Sequence, residues 1–242
     1  MFTILLDTET SGLTGKDRVI ELGIIILNED FDIVYSGSDY CKINFKLSKE
    51  VVEYTGINDS DLENAKPIKE TNTYLKLKEY NNEKNIVVIH NSWFDLYMLY
   101  MSHVQIKCKV VDTLNCARHI YHDKESYSLI NLINNVVEKP SDTKPFVQSH
   151  RAQDDCQLLL VLLKDMLKHK TMLDLMFMTE KWVIGFGKHK GKLWKDLDNG
   201  YLKWVHNNYS SENSPTQLYI KTLLKMELSP QQEKMLEYLH LD

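Results

Sequence analysis

The sequence predicts an α/β protein in which helices flank a mixed sheet and a small, mainly helical segment follows. Three stretches with strand character come first, between residues 2 and 45. Short apolar runs then alternate with helical patterns up to about residue 168, an order typical of strands connected by helices. After residue 170 the chain contains helical segments and one glycine-bounded turn. We therefore predict one domain over residues 1–170 and a second over 171–242.

The first predicted strand is an apolar run from Phe2 that ends at two acidic residues, Asp7 and Glu9. Because alternate residues of a strand point to the same face, these two carboxylates project together. Neighbouring carboxylates in an apolar setting repel each other unless one is protonated or divalent cations lie between them. The stretch predicts half of a metal site; the alternative is a strand that runs into a polar turn.

Two further strands and a short helix are predicted next. The stretch from Arg18 to Leu27 is rich in β-branched residues, and Phe31 to Phe45 alternates apolar and polar residues with a period of two. With the first strand they form a predicted three-stranded meander. A short helix then extends from Leu47 to Tyr54 and ends at Gly56.

Pro67 suits the first turn of a helix that continues to about Tyr80, with Ile68, Leu75 and Leu77 available for burial. The helix is expected to end at the polar stretch NNEKN, residues 81–85.

Two short apolar runs, Ile86 to Ile89 and Cys108 to Val111, are typical of strands buried on both faces. The motif HNSWFD, residues 90–95, follows the first run and leads into an apolar helix. Asp112 follows the second run and is predicted to cap a helix that ends near His119. Asp95 is thus expected close to a strand end, although a helix-start acid stabilised by the helix dipole is the alternative.

Two more helices are predicted, from Tyr127 to Val137 and from Arg151 to Lys168, separated by a loop over residues 138–149. Apolar residues and one acid recur on the second helix at spacings of three and four and form an inward-facing stripe. The stripe consists of Ala152, Asp155, Leu159, Leu162 and Met166. Asp155 is therefore expected to face the sheet, whereas Asp154, on the side of Asp165, faces water.

His150 lies five residues before Asp155, which corresponds to about 140° around a helix, so the two cannot share a helical face. We therefore place His150 in the loop before the helix. A loop histidine beside a metal site suits a general base, because it can move and titrates near neutral pH. The alternative is a surface histidine near a helix N-terminus.

The segment after residue 170 begins with a predicted connecting helix from Thr171 to Glu180, and Phe186 to Leu193 reads as a hairpin or turn. Three more helices are predicted. They extend from Tyr201 to Asn207, from Gln217 to Met226 and from Gln231 to His240. The turn carries Lys188, Lys190 and Lys192, which we expect to bind phosphates; a solvated lysine-rich turn is the alternative.

Composition narrows the class of protein. With 43% hydrophobic and 26% charged residues among 242, the chain is typical of a soluble globular protein. No apolar run reaches the roughly 18 residues of a membrane span, and no leader pattern precedes the first strand, so we expect a cytoplasmic protein with no membrane partner. The four cysteines have no C-x-x-C spacing, which argues against a zinc site or a disulfide framework.

The net charge of −5 argues against a protein that coats nucleic acid along a basic face, but it is compatible with a nuclease. Charge is uneven, since residues 181–242 carry nine lysines against seven acidic residues.

Three motifs, DTETSGL at residue 7, HNSWFD at residue 90 and HRAQDD at residue 150, resemble in order and separation those of the DnaQ-like family of 3′–5′ exonucleases. The match is with the subgroup that uses a histidine general base (DEDDh). The other subgroup has tyrosine four residues before its last aspartate, where this chain has Arg151. Residues 186–208 also resemble the carboxy-terminal region of the exodeoxyribonucleases X, a branch of this family.

The resemblance implies a ribonuclease H-like fold, two divalent cations (Mg²⁺ or Mn²⁺) and hydrolysis of DNA from the 3′ end to 5′-nucleoside monophosphates. The implied metal ligands are Asp7, Glu9, Asp95 and Asp155. His150 is the implied general base. The implied catalytic residues are therefore His150 and Glu9. Such ions, about 3.5–4 Å apart, activate water and stabilise the attacking and leaving oxygens.

Substrate contacts are expected on both sides of these acids. Thr10 and Leu13 are candidates to touch the terminal nucleotide, with backbone groups near Ser11 and Gly12 reaching the sugar; an ordinary turn is the alternative. Trp93 and Phe94 could stack on bases, although Phe94 fits a core position equally well. Asn91 is a candidate contact to the substrate backbone, with a helix cap as the alternative.

The expected partners are DNA 3′ ends, single-stranded or duplex. Two other functions stay open: an exoribonuclease that resembles oligoribonuclease or ribonuclease T, which share the motifs, and a nucleic-acid-binding module without turnover. The sequence leaves the oligomeric state open.

Overall fold

The computed structural model describes residues 1–122, 124–137, 146, 149–208 and 215–239. Its sheet has five strands in the order β3-β2-β1-β4-β5. The strands are β1 (Thr3–Thr10), β2 (Val19–Leu27), β3 (Ile33–Tyr40), β4 (Ile86–Ile89) and β5 (Lys109–Asp112). The first three pair antiparallel, whereas β4 lies parallel to both β1 and β5. The predicted three-stranded meander and the mixed sheet are confirmed.

Eleven α-helices occur in the described residues. They are α1 (Lys49–Thr55), α2 (Asp59–Leu62), α3 (Asn72–Tyr80), α4 (Ser92–Met101), α5 (Thr113–Ile120), α6 (Leu129–Asn135), α7 (Ala152–Met166), α8 (Met172–Thr179), α9 (Asn199–Asn208), α10 (Pro215–Leu223) and α11 (Pro230–Leu239). Three short 3₁₀ turns occupy Ile68–Glu70, Gly187–His189 and Trp194–Asp196.

Strands β1, β2 and β4 are buried on both faces of the sheet, and alternation along β1 separates two apolar clusters. Ile4 and Leu6 contribute to the cluster that contains residues of α4, whereas Leu5 contributes to the cluster that contains residues of α7. Continued alternation puts Asp7 and Glu9 on the α7 side and Thr8 on the α4 side. The two helices that carry the remaining predicted acids therefore approach the end of β1 from opposite faces.

Helix α7 lies close to β2 at Gly23. A Cβ atom on this glycine would lie 2.5 Å from the carbonyl carbon of Ala152 and 2.8 Å from the amide nitrogen of Gln153. The predicted inward stripe of α7 is confirmed, since all five of its residues are buried and Asp154 is exposed. Asp165, which helical spacing places on the side of Asp154, is nevertheless buried, and its Oδ2 accepts a hydrogen bond from the buried Tyr121 hydroxyl at 2.8 Å.

The predicted helix start at Pro67 is also wrong. Pro67 precedes a 3₁₀ turn, and α3 begins at Asn72 because the Thr71 side chain accepts a hydrogen bond from the Tyr74 amide and caps the helix. Leu77 is buried as expected, but the side chain of Leu75 is 48% exposed. By contrast, Ser48 and Gly56 cap α1 as the sequence predicts.

The segment after residue 170 packs onto both sides of the sheet: Leu175 of α8 belongs to the cluster on the α7 side, and the chain after α8 joins the cluster on the α4 side. Trp182, from the segment after α8, lies on Trp93 of α4 with ring centroids 3.7 Å apart. Residues of the last three helices join the same buried cluster as Ile4 and Leu6. The two-domain division at residue 170 stays a prediction, but residues from both parts contribute to each of the two apolar clusters.

Most of the predicted loop over residues 138–149, and His240 at the end of the last predicted helix, lie outside the described residues. Among the helices that the structure describes, none combines the length and the apolar character needed to cross a membrane.

Candidate active site

A cavity of about 590 Å³ opens at the edge of the sheet where β1 and β4 end. Because these strands are parallel, their carboxyl ends meet at the same edge, together with the N-terminus of α4. Most of the predicted site residues line this cavity. They are Asp7, Glu9, Thr10, Gly12, Leu13, Asn91, Phe94, Asp95, His150 and Asp155.

The carboxylates come from one strand and two helices. Asp7 and Glu9 lie at the end of β1, where the pairing with β2 shifts register between Glu9 and Thr10, a bulge of the kind common beside active sites. Asp155 enters from the first turn of α7. One ligand atom each of Glu9, His150 and Asp155 lies within 4.8 Å of the others, so these three side chains could share an ion.

Asp95 is held at the other side of the cavity by Thr8. Its Oδ1 accepts two hydrogen bonds, from the backbone amide of Thr8 at 3.0 Å and from the Thr8 hydroxyl at 2.8 Å. Asp112 fixes the start of the same helix, because its Oδ2 accepts hydrogen bonds from the amide and hydroxyl of Ser92. The position of Asp95 thus follows from bonds to both β1 and β5.

Burial and mutual repulsion raise the pKa values of these carboxyl groups. Removal from water, and then the charge of Asp155, raises the pKa of Glu9 to about 8. Burial raises the pKa of Asp95 to about 7, although the Thr8 hydrogen bonds oppose the shift. Burial, followed by the charge of Asp95, raises the pKa of Asp7 well above its ordinary value. Without a cation these carboxyl groups therefore tend to hold protons, whereas divalent cations with oxygen ligands would stabilise their charged forms, and the residues present fit such ions.

His150 lies in the loop before α7, as predicted, with a left-handed backbone (φ 51°). The next residue, Arg151, anchors this loop. Its Nε donates to Glu21 Oε2 at 3.0 Å and its Nη2 donates to Glu21 Oε1 at 3.1 Å. The same carboxylate accepts from the amide of Ala152 at 3.2 Å and from the hydroxyl of Ser38 at 2.8 Å. Glu21 of β2 thus fixes the chain on the carboxyl side of His150.

The turn after Glu9 contributes to the rim of the cavity. Leu13 is 76% exposed there. The hydroxyl of Thr10 donates to the carbonyl of Gly12 at 2.8 Å. Ser11 does not line the cavity: its hydroxyl donates to Asp17 and accepts from the Arg18 amide, so its side chain stabilises the turn.

Asn91 and Phe94 line the cavity from the start of α4. Asn91 is the N-cap residue, but its side chain makes no capping hydrogen bond and its backbone is left-handed (φ 68°). Phe94 is partly buried and packs against the apolar cluster, so it has both a core side and a cavity side. The predicted stacking of Trp93 on bases is wrong, because this side chain is only 7% exposed and lies against Trp182.

Lys188, Lys190 and Lys192 are exposed and do not line this cavity. Lys188 lies over the ring of Tyr201, and Lys190 lies over the ring of Tyr127 at 5.5 Å from its centroid. Lys190 instead lines a separate cavity on the adjoining surface.

Helix α1 supplies cavity residues that the sequence analysis missed. They are Glu50, Val51, Tyr54 and Thr55. The available signal was Tyr54, an aromatic residue two positions before Gly56. The sequence does not show, however, that α1 covers the ends of the strands. His90 was also missed: its ring nitrogens contact the Thr113 hydroxyl and the Tyr127 carbonyl, each at 3.0 Å, and burial lowers its pKa to about 4.

A family model described as exonuclease, of the RNase T type, matches residues 4–163. The curated relatives include DNA polymerase III PolC-type proteins. That of Bacillus subtilis is 28% identical over 172 residues, which are 68% of this chain and 11% of the relative. That of Thermotoga petrophila is 32% identical over 163 residues, 64% of this chain and 11% of the relative. The chain thus spans about a tenth of the length of the curated relatives it matches.

Solved structures with the same fold include exonuclease X in complex with 5′-overhanging duplex DNA. Its TM-score is 0.58 at 22% identity, covering 73% of this chain and 99% of that one. Escherichia coli exonuclease I in complex with single-stranded DNA has a TM-score of 0.59 at 17% identity, covering 74% and 43%. The nuclease domain of 3′hExo, a DEDDh family member bound to rAMP, has a TM-score of 0.53 at 19% identity, covering 69% and 92%.

The family match covers all three motifs and every acidic residue of the cavity, and the mixed five-stranded sheet is that of ribonuclease H-like exonucleases. The chain therefore belongs to the DnaQ-like exonuclease family of the RNase T type, whose members are nucleases that act on nucleic acid.

Proposed function

We propose that the protein is a metal-dependent 3′–5′ exodeoxyribonuclease of the DEDDh type that releases 5′-nucleoside monophosphates. The observation that carries this proposal is the convergence of Asp7, Glu9, Asp95, Asp155 and His150 on one cavity in a chain of the exonuclease family. The set contains four carboxylates for metal ions and one histidine that can move a proton.

The four carboxylates are the proposed ligands of two divalent cations, Mg²⁺ or Mn²⁺, because hard cations prefer oxygen ligands. When bound, such a pair supplies activation of a water molecule and charge stabilisation at the phosphate that is cleaved. The raised pKa of Glu9 supports this role, since a buried carboxylate next to Asp155 is unstable without a compensating cation.

His150 is the proposed general base. Its loop position lets a ring nitrogen accept the proton of the attacking water, and the Glu21–Arg151 ion pair holds the chain next to it. Thr8 orients Asp95 through two hydrogen bonds, so that this carboxylate keeps one position in the cavity.

The 3′-terminal nucleotide is proposed to lie between the turn after β1 and the start of α4. Leu13 is the candidate to wedge against the terminal base, with Thr10 and the backbone at Ser11 and Gly12 near the sugar. Asn91 and Phe94 contribute contacts from the opposite wall. The basic residues Lys188, Lys190 and Lys192 are proposed to bind phosphates away from the reacting bond.

DNA is the preferred substrate in this proposal. The resemblance of residues 186–208 to exodeoxyribonucleases X supports it, as do relatives named as DNA polymerases and similar structures solved with DNA. RNA is the second candidate, since one structure of the same fold, the 3′hExo nuclease domain, contains a ribonucleotide. The expected place of action, the cytoplasm, stays a prediction.

The test is degradation of matched DNA and RNA oligonucleotides, labelled at the 5′ end, with Mg²⁺ or Mn²⁺. Wild type is compared with Asp7→Ala and His150→Ala, and with Lys78→Ala as a control on the exposed side of α3. Stepwise shortening of DNA that both site variants abolish and the control retains is the expected result.

Faster shortening of RNA would move the protein to the exoribonucleases. Internal cuts, or 5′-labelled mononucleotide as the first product, would contradict the 3′–5′ direction. If neither polymer is shortened with either metal, the nuclease assignment fails for this chain, and a binding module without turnover takes its place.

A further inference from the structure

A second cavity, of about 650 Å³, lies between the end of α5 and the segment 181–193. We call it the basic cleft. Four permanent cations line it, namely Arg118, Lys124, Lys181 and Lys190. Two histidines, His119 and His122, accompany them, and Glu125 is the acid among the lining residues. The cleft is thus a local excess of positive charge on a chain whose net charge is −5.

Arg118 is built into the wall of the cleft. Its Nη1 donates to the carbonyl of Val183 at 3.1 Å. Its guanidinium lies so close to Gly185 that a Cβ atom there would be 2.5 Å from Nη2. The Nε atom is buried and has no hydrogen-bond partner. Gly185 therefore leaves room for the guanidinium in the wall of the cleft.

Lys190 is also held in place. Its ammonium donates to the carbonyl of Lys124 and lies 5.5 Å from the centroid of the Tyr127 ring. Neither partner neutralises the charge, because one is a neutral carbonyl and the other an aromatic face. The basic loop noted in the sequence therefore lines the same cleft as cationic residues more than 60 positions earlier in the chain.

The basic cleft and the active-site cavity share a wall. His90 lines the active-site cavity, and its Nε2 contacts the carbonyl of Tyr127 at 3.0 Å. Tyr127 in turn lines the basic cleft. Since a backbone carbonyl only accepts, Nε2 carries the proton of the neutral imidazole, and this hydrogen bond fixes the wall.

An acidic cavity beside a basic cleft suits one long polyanion. The end of a strand enters the acidic site only together with cations, whereas phosphates farther along the strand gain from fixed positive charge. We propose that the basic cleft binds the phosphodiester backbone of the DNA strand behind its 3′ end. This inference rests on the proposed exonuclease function, and it assigns to Arg118, Lys124 and Lys181 a role that the sequence did not reveal.

The test removes the charges and keeps a polar, flexible side chain at each position. The cleft variant carries Lys124→Gln, Lys181→Gln and Lys190→Gln; the control variant carries Lys69→Gln, Lys78→Gln and Lys164→Gln at exposed positions elsewhere. Both have the same net charge. Affinity for a labelled 20-nucleotide single strand is measured in Ca²⁺ across a salt series.

The cleft variant is expected to bind the strand about tenfold more weakly at low salt. Its slope of log K against log salt should be shallower by about 2, because each phosphate contact of a single strand contributes about 0.7. The control variant should keep the affinity of the wild type. If both variants lose affinity equally, or if neither does, the proposal is overturned.

Should the triple variant fail to fold, Lys124→Gln with Lys181→Gln leaves the Lys190 contacts in place and should weaken binding about threefold to fivefold. Binding needs no turnover, so the two proposals can fail separately. If the wild type degrades DNA but the cleft and control variants bind it with equal affinity, only the proposal for the basic cleft is refuted. If only the cleft variant loses affinity and the wild type does not degrade DNA, only the nuclease assignment is refuted.

Discussion

The ring of Tyr54, on α1, lies against the imidazole of His150, with centroids 4.0 Å apart and planes inclined at 35°. Tyr54 is 63% exposed, so its ring is a cover on the solvent side of the proposed base rather than part of the core. The contact restricts the orientation of the imidazole, whose backbone lies in a loop.

Loss of this ring should therefore impair turnover. We expect Tyr54→Ala to lower kcat about tenfold because the imidazole spends less time in the productive orientation. Tyr54→Phe keeps the ring and should restore kcat nearly to the wild-type value. Single-turnover kinetics on a labelled oligonucleotide measure both. Equal losses in the two variants would show that the hydroxyl matters and the ring contact does not.

Arg151→Ala should reduce both stability and turnover. The change leaves the buried Glu21 carboxylate without its guanidinium partner, and we expect a loss of about 1–3 kcal/mol in the free energy of unfolding. Adding Glu21→Gln should recover part of this loss, because no carboxylate then stays buried. Urea denaturation measures the effect, with Lys164→Ala, an exposed cation on the same helix, as the control. No recovery in the double variant would argue against the ion pair as the cause.

His150→Ala separates a general base from a metal ligand. As a base, its loss should lower kcat by about 10²–10⁴. Mn²⁺ at about 100 times its dissociation constant should still raise the Tm by about 5 °C or more in this variant. Asp155→Asn should lose the shift. Differential scanning calorimetry with and without Mn²⁺ measures it; loss of the shift in His150→Ala would instead make the histidine a ligand, which its distance to Glu9 and Asp155 permits.

Stability without metal should fall as pH rises. The pKa of Glu9 is about 8 in the folded chain against an ordinary 4.5, so the native state binds more protons than the unfolded state between these values. This contribution is complete below about pH 4.5 and is lost as pH rises through about 8. We expect wild type to lose on the order of 2 kcal/mol between pH 6 and pH 9 relative to Glu9→Gln. Urea unfolding in EDTA measures it, and parallel profiles of the two proteins would contradict the burial of a charged carboxyl.

Periodic patterns predicted the parts of the site that lie on regular elements. Alternation along β1 explains why Asp7 and Glu9 line one cavity, and the spacing on α7 explains why Asp155 is buried and Asp154 is not. Asp165 breaks the same pattern, because its partner Tyr121 comes from another part of the chain and no local period reports it.

Contacts between segments that are distant in the chain could not be predicted from the sequence. Tyr54 and His150 are 96 positions apart, and the path of the chain between β3 and α1 decides whether they meet. The lysine loop was recognised, but its position beside Arg118 in the basic cleft depends on how the segment after α8 folds back on α5. Trp93 and Phe94 are neighbours in a helix, and only packing shows that Trp93 points to Trp182 and Phe94 to the cavity.

The contact between Trp93 and Trp182 has a consequence for engineering. The match to the family model ends at residue 163, whereas the helix that carries Asp95 is covered by an indole nineteen residues farther on. A clone trimmed to the family boundary would expose the apolar face of that helix, including Trp93, to other chains. The carboxy-terminal segment therefore cannot be exchanged between homologues by itself. The surface of α4 that it covers would have to be transferred together with it.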